Sequence, residues 1–356
     1  MPSSSSTSLP IRARRIKMTV LQNLKRQFSS YTQKPGDFAR AKDQNELFPK
    51  TDSEVDGEEC LHDCETCTVK YPKKWSVDED DPVYGHINGW STHLLVATGK
   101  ADWVRDVSDE KGSVMEAVRD SKVQPSNGKM MLSATNMPMP NHHTSHDEGT
   151  TVLLLPSFSF IDNVTPSSVS DLISTVVNSS PTNTTPLSSD GPHAAVDEEA
   201  EPAPSIPTSL PHNMSLRPCN HSALILLCSQ GTRDARCGQS APLLRKELER
   251  HLRPLGLFRD MDDNRPGGVG IYFISHVGGH KYAANMMIYR RGDASREAVA
   301  VDGTPAKEAS QCIWLARVRP EDCENIIRFT VLQGKVVKPE RQLRGGFDRG
   351  RGLTSW

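Results

Sequence analysis

Two segments decide the fold: ALILLCSQGTRDARCGQSAPLL at residues 223–244 and GVGIYFISHVGGHKYAANMMIY at residues 268–289. Each contains an apolar run with the length and composition of a buried strand, and each run ends in a polar loop that contains glycine. Side chains that can bind a metal follow both runs and form two pairs. These are Cys228 and Cys237, separated by eight residues, and His276 and His280, separated by three.

The predicted elements around the two pairs follow a β-α-β-β-β-α order. Ser240 has the sequence position of a helix N-cap, Pro242 lies in the predicted first turn, and leucines continue at helical spacing as far as Leu255. The other predicted elements are strands at 224–227, 270–275, 284–289 and 313–318 and a helix that begins at Pro320. This order is compatible with a thioredoxin-like layered sheet, which belongs to the α/β (α+β) class.

Two thiolates and two neutral imidazoles form a complete ligand set for either of two metal sites. One is a tetrahedral zinc ion, and the other is a [2Fe–2S] cluster with cysteine on one iron and histidine on the other. Structural zinc usually takes cysteines about two to four residues apart, so the longer gap favours the larger cluster. Gly278 and Gly279 allow backbone N–H groups to approach closely, and the sulfides of a cluster accept such hydrogen bonds.

The paired motif, C-x8-C followed by H-x-G-G-H-K-x-A-x-N, resembles the sucrase/ferredoxin-like family of thioredoxin-fold ferredoxins. The resemblance implies that Cys228, Cys237, His276 and His280 ligate a [2Fe–2S] cluster, with Gly278 and Gly279 beside it. It extends to residues 71–118, which are similar to the family's N-terminal half. That half is expected to be a degenerate thioredoxin-like domain without cluster ligands.

The mixed ligand set predicts an electron carrier or a redox sensor rather than an enzyme with its own substrate. Replacing two thiolates by neutral imidazoles moves such a cluster to roughly −150 to +300 mV, from about −400 mV. The imidazoles also predict that electron uptake is coupled to protonation. Two alternatives remain open: a metal-free thiol–disulfide oxidoreductase that uses either Cys64 and Cys67 or Cys228 and Cys237, and a zinc-stabilised binding module.

A second group of thiols precedes the first predicted domain. Cys60, Cys64 and Cys67 are spaced C-x3-C-x2-C, with His62 between them, which is enough for three or four zinc ligands. Cys64 and Cys67 also form a C-x-x-C motif that could cycle as a redox pair. The conventional redox motif follows a strand, and none is predicted here, so the third interpretation is three unmodified cysteines in a flexible entry segment.

The N-terminal residues predict a mitochondrial presequence. Residues 1–36 are rich in arginine and serine, contain no acidic residue and place apolar residues on one helical face. The mitochondrial matrix is therefore the expected location, with the cytosol as the alternative. The final residues, Ser355 and Trp356, resemble a tag that cytosolic iron–sulfur assembly machinery recognises. That resemblance argues against the matrix, whose proteins receive clusters from a different machinery. We expect iron–sulfur assembly machinery and an unidentified redox protein as partners.

Composition limits the remaining function classes. The formal net charge of −2 gives no indication of nucleic-acid binding, and no apolar run approaches the length of a membrane span. Hydrophobic residues make up 36%, which is low for a fully folded chain and predicts disordered regions. The expected organisation is a presequence (1–36), a linker (37–58), an N-terminal domain (59–160), a long disordered Ser/Thr/Pro linker (161–217), the ferredoxin domain (218–335) and an Arg/Gly-rich solvated tail (336–356).

Overall fold

The computed structural model describes residues 38–140, 148–187, 205–291 and 308–356; the side chain of His280 lies outside that description. The presequence predicted at 1–36 also lies outside the described residues. The strands of the described ranges are β1 Ala39–Arg40, β2 Thr92–Ala97, β3 Met130–Thr135, β4 Thr150–Leu155, β5 Ser159–Val164, β6 Ser215–Pro218, β7 Ala223–Cys228, β8 Phe258–Arg259, β9 Val269–Ile274, β10 Met286–Arg290, β11 Gln311–Leu315, β12 Leu343–Asp348 and β13 Leu353–Thr354.

Helices connect and cover these strands. The α-helices are α1 Gln44–Leu47, α2 Ser53–Asp56, α3 Val114–Asp120, α4 Val169–Asp171, α5 Ala235–Leu252, α6 Cys323–Asn325 and α7 Pro339–Gln342. Pro166–Ser168 and Leu172–Val177 extend α4 at its two ends, and Pro320–Asp322 and Ile326–Val331 extend α6 in the same way. Short 3₁₀ turns lie at Glu58–Leu61, Val107–Asp109 and His280–Tyr282. None of the helices in the described ranges combines the length and apolar character needed to cross a membrane.

All the described strands belong to one mixed sheet. Its order is β1-β13-β12-β11-β10-β7-β9-β3-β2-β4-β5-β6, and β8 pairs beside β9. Strand β7 runs parallel to β9 across the α5 crossover, whereas β10 and β11 are antiparallel additions. The expected mixed α/β class and the β-α-β-β-β-α order of the C-terminal half are therefore confirmed.

The N-terminal half repeats the same arrangement. Strand β2 is parallel to β3 across a crossover that contains α3, β4 and β5 follow as antiparallel neighbours, and the helical segment 166–177 ends the repeat. The two repeats join where Thr135 pairs with Ile274. Ala97 pairs with Thr135, and Cys228 pairs with Ile274. Ala97 therefore occupies in the first repeat the position of Cys228 in the second.

The separation into two domains is not confirmed. Strands β3 and β9 join the two repeats into one continuous sheet, and residues Phe38–Trp356 cluster as one compact unit. Both faces of the sheet are covered, which explains why β2 and β7 are almost wholly apolar rather than alternating. The helices cover one face, and the other packs around Trp90, Trp314 and Phe347.

The prediction of a long disordered linker at 161–217 is wrong for its described parts. Residues 161–164 complete β5, and the segment 166–177 is helical. Thr165 and Ser168 form a capping box at the start of this helix, so the polar residues satisfy backbone groups instead of marking disorder. Leu172, Ile173, Val176 and Val177 are buried in the core. Asn183 is also fully buried and bonds to Trp90, whereas residues 188–204 lie outside the description.

The two terminal segments predicted as linker and solvated tail are also part of the fold. In the segment 37–58, Leu47 ends α1 and Phe48 is its C-cap, and both are buried. In the tail, β12 is fully buried between β11 and β13. The glycines there have a packing reason: a Cβ at Gly346 would lie 1.8 Å from the Cys312 carbonyl oxygen. A composition rich in arginine and glycine therefore reflects close strand contact rather than solvation.

Helix α5 begins earlier than the Ser240 prediction. Its N-cap is Asp234, whose side chain accepts a hydrogen bond from the Arg236 backbone N–H. Ser240 lies within the helix and is buried, and Pro242 is inside the helix. An aspartate cap satisfies the free N–H groups of the first turn as well as serine does. Cys237 consequently belongs to the first helical turn instead of a loop.

Candidate metal centre

Cys228 and Cys237 meet beneath the start of α5. Cys228 is the last residue of β7, and its backbone N–H donates to the Asn285 carbonyl oxygen at 3.2 Å. Between the two cysteines the backbone of Gly238 lies close to that of Gly231. A Cβ at Gly238 would be only 2.9 Å from the Gly231 Cα. The two cysteine side chains are 1% and 0% exposed. The eight intervening residues therefore form a loop and a helical start that return one buried thiol to the other.

His276 approaches this thiol pair from the loop after β9. Its Nδ1 lies 3.9 Å from the Cys228 Sγ. Its backbone N–H donates to the Gln230 Oε1 at 2.8 Å, and the Gln230 amide donates in turn to the Val104 carbonyl oxygen at 2.5 Å. The strand ends of β7 and β9 and the β2–β3 crossover thus hold the histidine loop against the cysteines.

The electrostatics of the pair favour one negative charge. The hydrogen bond with Cys237 and the contact with His276 lower the pKa of the Cys228 thiol to about 5 despite its burial. The neighbouring Cys228 thiolate and burial raise the pKa of Cys237 far above its usual range. The pair therefore retains one proton at neutral pH, and a second negative charge needs a cation beside it.

The fourth predicted ligand, His280, begins the short turn His280–Tyr282 in the same loop. Gly278 and Gly279 precede it with φ angles of +88° and +67°, a region that glycine adopts without strain. The structure therefore brings the side chains of Cys228, Cys237 and His276 together. For His280 it describes only the backbone, within four residues of His276.

Arg344 supports this loop from β12. Its guanidinium donates to the Gly278 carbonyl oxygen at 3.1 Å, to the Asn285 Oδ1 at 2.8 Å and to the His86 carbonyl oxygen at 3.0 Å. It also lies 4.4 Å from the centre of the Trp314 ring. Desolvation lowers the pKa of Arg344 to about 10, so it remains a buried cation. Sequence reasoning placed Arg344 in a solvated tail, and the alternation in QLRGGFD was the missed signal of a strand.

The two sides of the centre differ in their access to solvent. On the cysteine side, Trp75 and Val77 pack against Cys228, Cys237 and Ala283. The Trp75 indole N–H donates to the Arg236 carbonyl oxygen at 3.3 Å, which fixes this cover on α5. On the histidine side, His276, Gly278, Gly279 and Arg344 line an open cavity of about 380 Å³.

Comparison with known proteins identifies the family. The family model described as "Sucrase/ferredoxin-like" matches residues 83–345. The chain belongs to the sucrase/ferredoxin-like family. The match covers both repeats of the sheet and all four predicted ligands, so the recognition made from the paired motif is confirmed.

Three relatives are similar to this sucrase/ferredoxin-like chain. It is 27% identical to "Actin patches distal protein 1" of Saccharomyces cerevisiae over 87% of this chain and 94% of the relative. It is 32% identical to "Altered inheritance of mitochondria protein 32" of Clavispora lusitaniae over 39% of this chain and 41% of the relative. It is 34% identical to the protein of the same name of Debaryomyces hansenii over 32% and 33%. No solved structure matches the chain.

The second thiol group of this sucrase/ferredoxin-like protein does not lie in a flexible segment. The Cys64 N–H donates to the Glu321 carbonyl oxygen at 3.0 Å. The Asn325 amide donates to the carbonyl oxygens of Glu59 and His62 at 3.3 Å and 2.8 Å. These hydrogen bonds hold residues 59–64 on the helical segment 320–331, because they pair polar groups of the two segments with each other.

The three thiols of this group have different surroundings. Cys60 and Cys64 are buried, whereas Cys67 is half-buried and its S–H donates to the Val69 carbonyl oxygen at 3.0 Å. The ligand atoms of Cys64, His251 and Glu324 lie within 4.8 Å of one another, a grouping that could hold a metal ion. The structure therefore combines Cys64 with His251 of α5 and Glu324 of α6, two partners that the local spacing did not predict.

Proposed function

We propose that this sucrase/ferredoxin-like protein binds a [2Fe–2S] cluster through Cys228, Cys237, His276 and His280 and works as an electron carrier or redox sensor. The observation that carries the proposal is the 3.9 Å approach of His276 Nδ1 to Cys228 Sγ. Three parts of the fold, the end of β7, the first turn of α5 and the loop after β9, deliver these groups to one place. The sequence motif adds His280 to the set.

The donor set fits such a cluster. Only one of the two buried thiols, Cys228 or Cys237, is deprotonated in this environment. A bound metal cation would stabilise the second thiolate as well. The buried Arg344 interacts electrostatically with Cys228 and adds positive charge near an anionic centre. When bound, the cluster supplies reversible one-electron transfer.

The surrounding residues assign a different task to each side of the centre. Trp75 and Val77 exclude water from the cysteines, which protects thiolates from oxidation and hydrolytic loss of iron. His276 faces the open cavity of about 380 Å³, so electrons and protons would be exchanged there with a redox partner. Arg344 and Gln230 hold the histidine loop in place through the Gly278 carbonyl and the His276 N–H.

We also propose a mitochondrial location, in the matrix. The basic, acid-free composition of residues 1–36 supports it, as do the relatives named for altered inheritance of mitochondria. The relative named for actin patches supports the cytosolic alternative. Fractionation with protease protection, carried out on the chain with and without residues 1–36, tests this proposal. The full chain should be protected from protease until the inner membrane is opened. A full chain found in the cytosol would contradict the matrix location.

Anaerobic purification tests the cluster. We expect about two irons and two acid-labile sulfides per chain, visible absorption, and an electron paramagnetic resonance signal after reduction. His276→Ala should lose the colour, and His276→Cys should keep a cluster whose potential is lower, because a thiolate replaces a neutral ligand. Cys312→Ala is the matched control, since Cys312 is fully buried elsewhere in the same half.

Three results would contradict a cluster bound by these four residues. A colourless protein with one zinc per chain would favour the zinc-stabilised binding module. A mixed disulfide trapped on Cys228 or Cys237, with no response to His276→Ala, would favour the metal-free thiol oxidoreductase. A visible spectrum that both His276→Ala and Cys237→Ser leave unchanged would place the cluster elsewhere.

A further inference from the structure

We propose that Cys64 and Cys67 form a second redox site, which reduces a disulfide bound in the adjoining cavity. This site uses other thiols than the metal centre, and Trp75 and Val77, which cover Cys228 and Cys237, also line its cavity. Cys64, Cys67 and the segment 69–72 line one open cavity of about 630 Å³, which Arg319, Glu79 and Glu321 close on its polar rim. A cavity of this size accommodates an extended peptide segment or a small disulfide.

The local backbone places the two thiols within reach of each other. Glu65 and Thr66 form a turn, so Cys64 and Cys67 stand at its two ends. The ends of a β-turn lie less than about 7 Å apart at Cα, and a disulfide joins Cα atoms about 4.4–6.8 Å apart. Both cysteines are free thiols in the described structure. The turn therefore brings the two Cα atoms into the range that a disulfide spans.

Two side chains of α5 contact the Cys64 sulfur. The Arg250 Nη2 donates to the Cys64 Sγ at 3.5 Å, and the His251 Nε2 lies 3.9 Å from the same sulfur. Arg250 is held in place by Glu247, a fully buried carboxylate at 2.5 Å. A guanidinium beside a cysteine stabilises the thiolate, which is the reactive form.

Cys67 has the properties of the second, resolving thiol. It donates its S–H to the Val69 carbonyl oxygen at 3.0 Å, and burial raises the pKa of the Cys67 thiol. It is therefore protonated at rest, while Cys64 faces the guanidinium. One thiol of the C-x-x-C motif thus contacts a guanidinium and the other a carbonyl oxygen, so the two thiols are not equivalent.

The exchange balances without another reactant. The Cys64 thiolate attacks one sulfur of the bound disulfide, so a Cys64–substrate bond forms and the substrate disulfide breaks, with the leaving thiolate taking a proton from water. Cys67 then loses its proton to water and attacks the Cys64 sulfur, which releases the second substrate thiolate. The substrate disulfide gains two electrons, and Cys64 and Cys67 lose two as they form a disulfide.

The same residues could instead hold a metal ion through Cys64, His251 and Glu324, whose ligand atoms lie within 4.8 Å. Arg250 argues against this use. Its Nη2 donates to the Cys64 Sγ and lies 3.0 Å from the His251 Nε2, which are two of the three ligand atoms. A metal would have to displace a cation that Glu247 already fixes, so the observations favour the dithiol.

Trapping experiments on the full chain test the site. Cys67→Ser is incubated with oxidised glutathione, or with insulin as a protein disulfide, and analysed by mass spectrometry. We expect one mixed disulfide at Cys64 with at least one of the two, whereas the unsubstituted chain forms a Cys64–Cys67 disulfide and keeps no adduct. A faster reaction of Cys64 with oxidised glutathione would indicate a small substrate, and a faster reaction with insulin a protein substrate. Either result supports a redox site at Cys64 and Cys67. Arg250→Gln should slow adduct formation on the order of tenfold.

Cys60→Ser is the matched control, because Cys60 is buried in the same segment and does not line the cavity as described. It should react as the unsubstituted chain does. An inert Cys64 in the folded protein would overturn the proposal, and so would one zinc per chain that Glu324→Gln removes. Cys64→Ser should keep the visible spectrum expected of the metal centre. The trapping experiment therefore tests the dithiol site, and the spectrum tests the cluster, independently of each other.

Discussion

Arg344 donates a hydrogen bond of 3.1 Å to the carbonyl oxygen of Gly278, and so joins strand β12 to the loop that carries His276. The two residues are 66 positions apart. The same guanidinium donates to Asn285 and to the His86 carbonyl oxygen. One buried cation thus connects the histidine loop, β10 and the N-terminal segment, and the shape of the candidate centre depends on it.

Replacing this cation should destabilise the whole fold. Arg344→Met leaves the carbonyl oxygens of Gly278 and His86 and the Asn285 side chain without their charged donor. We expect a loss of about 3 kcal/mol in the free energy of unfolding, measured by urea denaturation. Arg341→Met is the control: its guanidinium lies nearby on α7 and pairs with the partly exposed Glu79. Arg341→Met should lower the free energy of unfolding by about 1 kcal/mol or less. Equal losses in the two variants would show that Arg344 has no special role.

The two neighbouring glycines should respond differently to the same substitution. A Cβ at Gly279 would lie 2.4 Å from the Arg344 Nη2, whereas a Cβ at Gly278 meets nothing within 4 Å. Both residues have positive φ, so alanine strains the backbone at either position by about 1 kcal/mol. Gly279→Ala should add the displacement of Arg344 and lower the melting temperature clearly more than Gly278→Ala. The opposite ranking would mean that the Arg344 contact is not maintained in solution.

Acid should weaken the fold through His93. This residue is fully buried between Tyr289 and Ser133, and desolvation lowers its pKa to about 3. Because the unfolded chain binds the proton near pH 6.5 and the folded chain does not, stability is lost as pH falls below about 6.5 toward 3. The expected cost between pH 7 and pH 5 is about 2 kcal/mol. His221, whose burial lowers its pKa to about 4, adds a loss of the same sign.

Denaturation at pH 7 and pH 5 measures this effect. His93→Gln keeps a hydrogen-bonding side chain but cannot titrate, so the difference in unfolding free energy between the two pH values should shrink by about 2 kcal/mol. His221→Gln should shrink it independently. If His93→Gln shows the same pH dependence as the unsubstituted chain, then the residue is accessible to protons in the folded state.

The C-terminal residue should contribute to stability as well as to any targeting role. Trp356 packs on Trp90, with ring centroids 4.6 Å apart, and a Cβ at Gly89 would lie 2.3 Å from its ring. Trp356→Ala should cost about 2 kcal/mol in thermal or urea unfolding. Leu255→Ala is the control, because Leu255 is 53% exposed. An unchanged unfolding curve for Trp356→Ala would show that this contact does not stabilise the fold.

Local sequence patterns predicted the parts of the fold that depend on neighbouring residues. The apolar runs ending at Cys228 and before His276 predicted β7 and β9 to within one or two residues. The spacing of the two pairs of predicted ligands identified the family, and the structure brings three of the four predicted side chains together. Strand burial and helical periodicity are local properties, and a single sequence contains them.

Composition misled where polar residues satisfy the backbone inside the fold. The Ser/Thr/Pro stretch after residue 161 predicted disorder, yet Thr165 and Ser168 cap a helix whose apolar face is buried. The Arg/Gly stretch after residue 336 predicted a solvated tail, yet Gly346 permits close strand contact and Arg344 becomes a buried donor. Whether a polar residue faces water or a buried carbonyl depends on what packs against it.

The sequence by itself determined the family and the mixed α/β class, and it predicted the paired ligands, because these follow from residue type and spacing. Only the tertiary structure decided that both repeats share one sheet through Thr135 and Ile274, and that Arg344 supports the histidine loop. It alone placed Arg250 and His251 beside Cys64. Such contacts join residues far apart in the chain, and local propensity contains no information on which distant group will satisfy a buried charge.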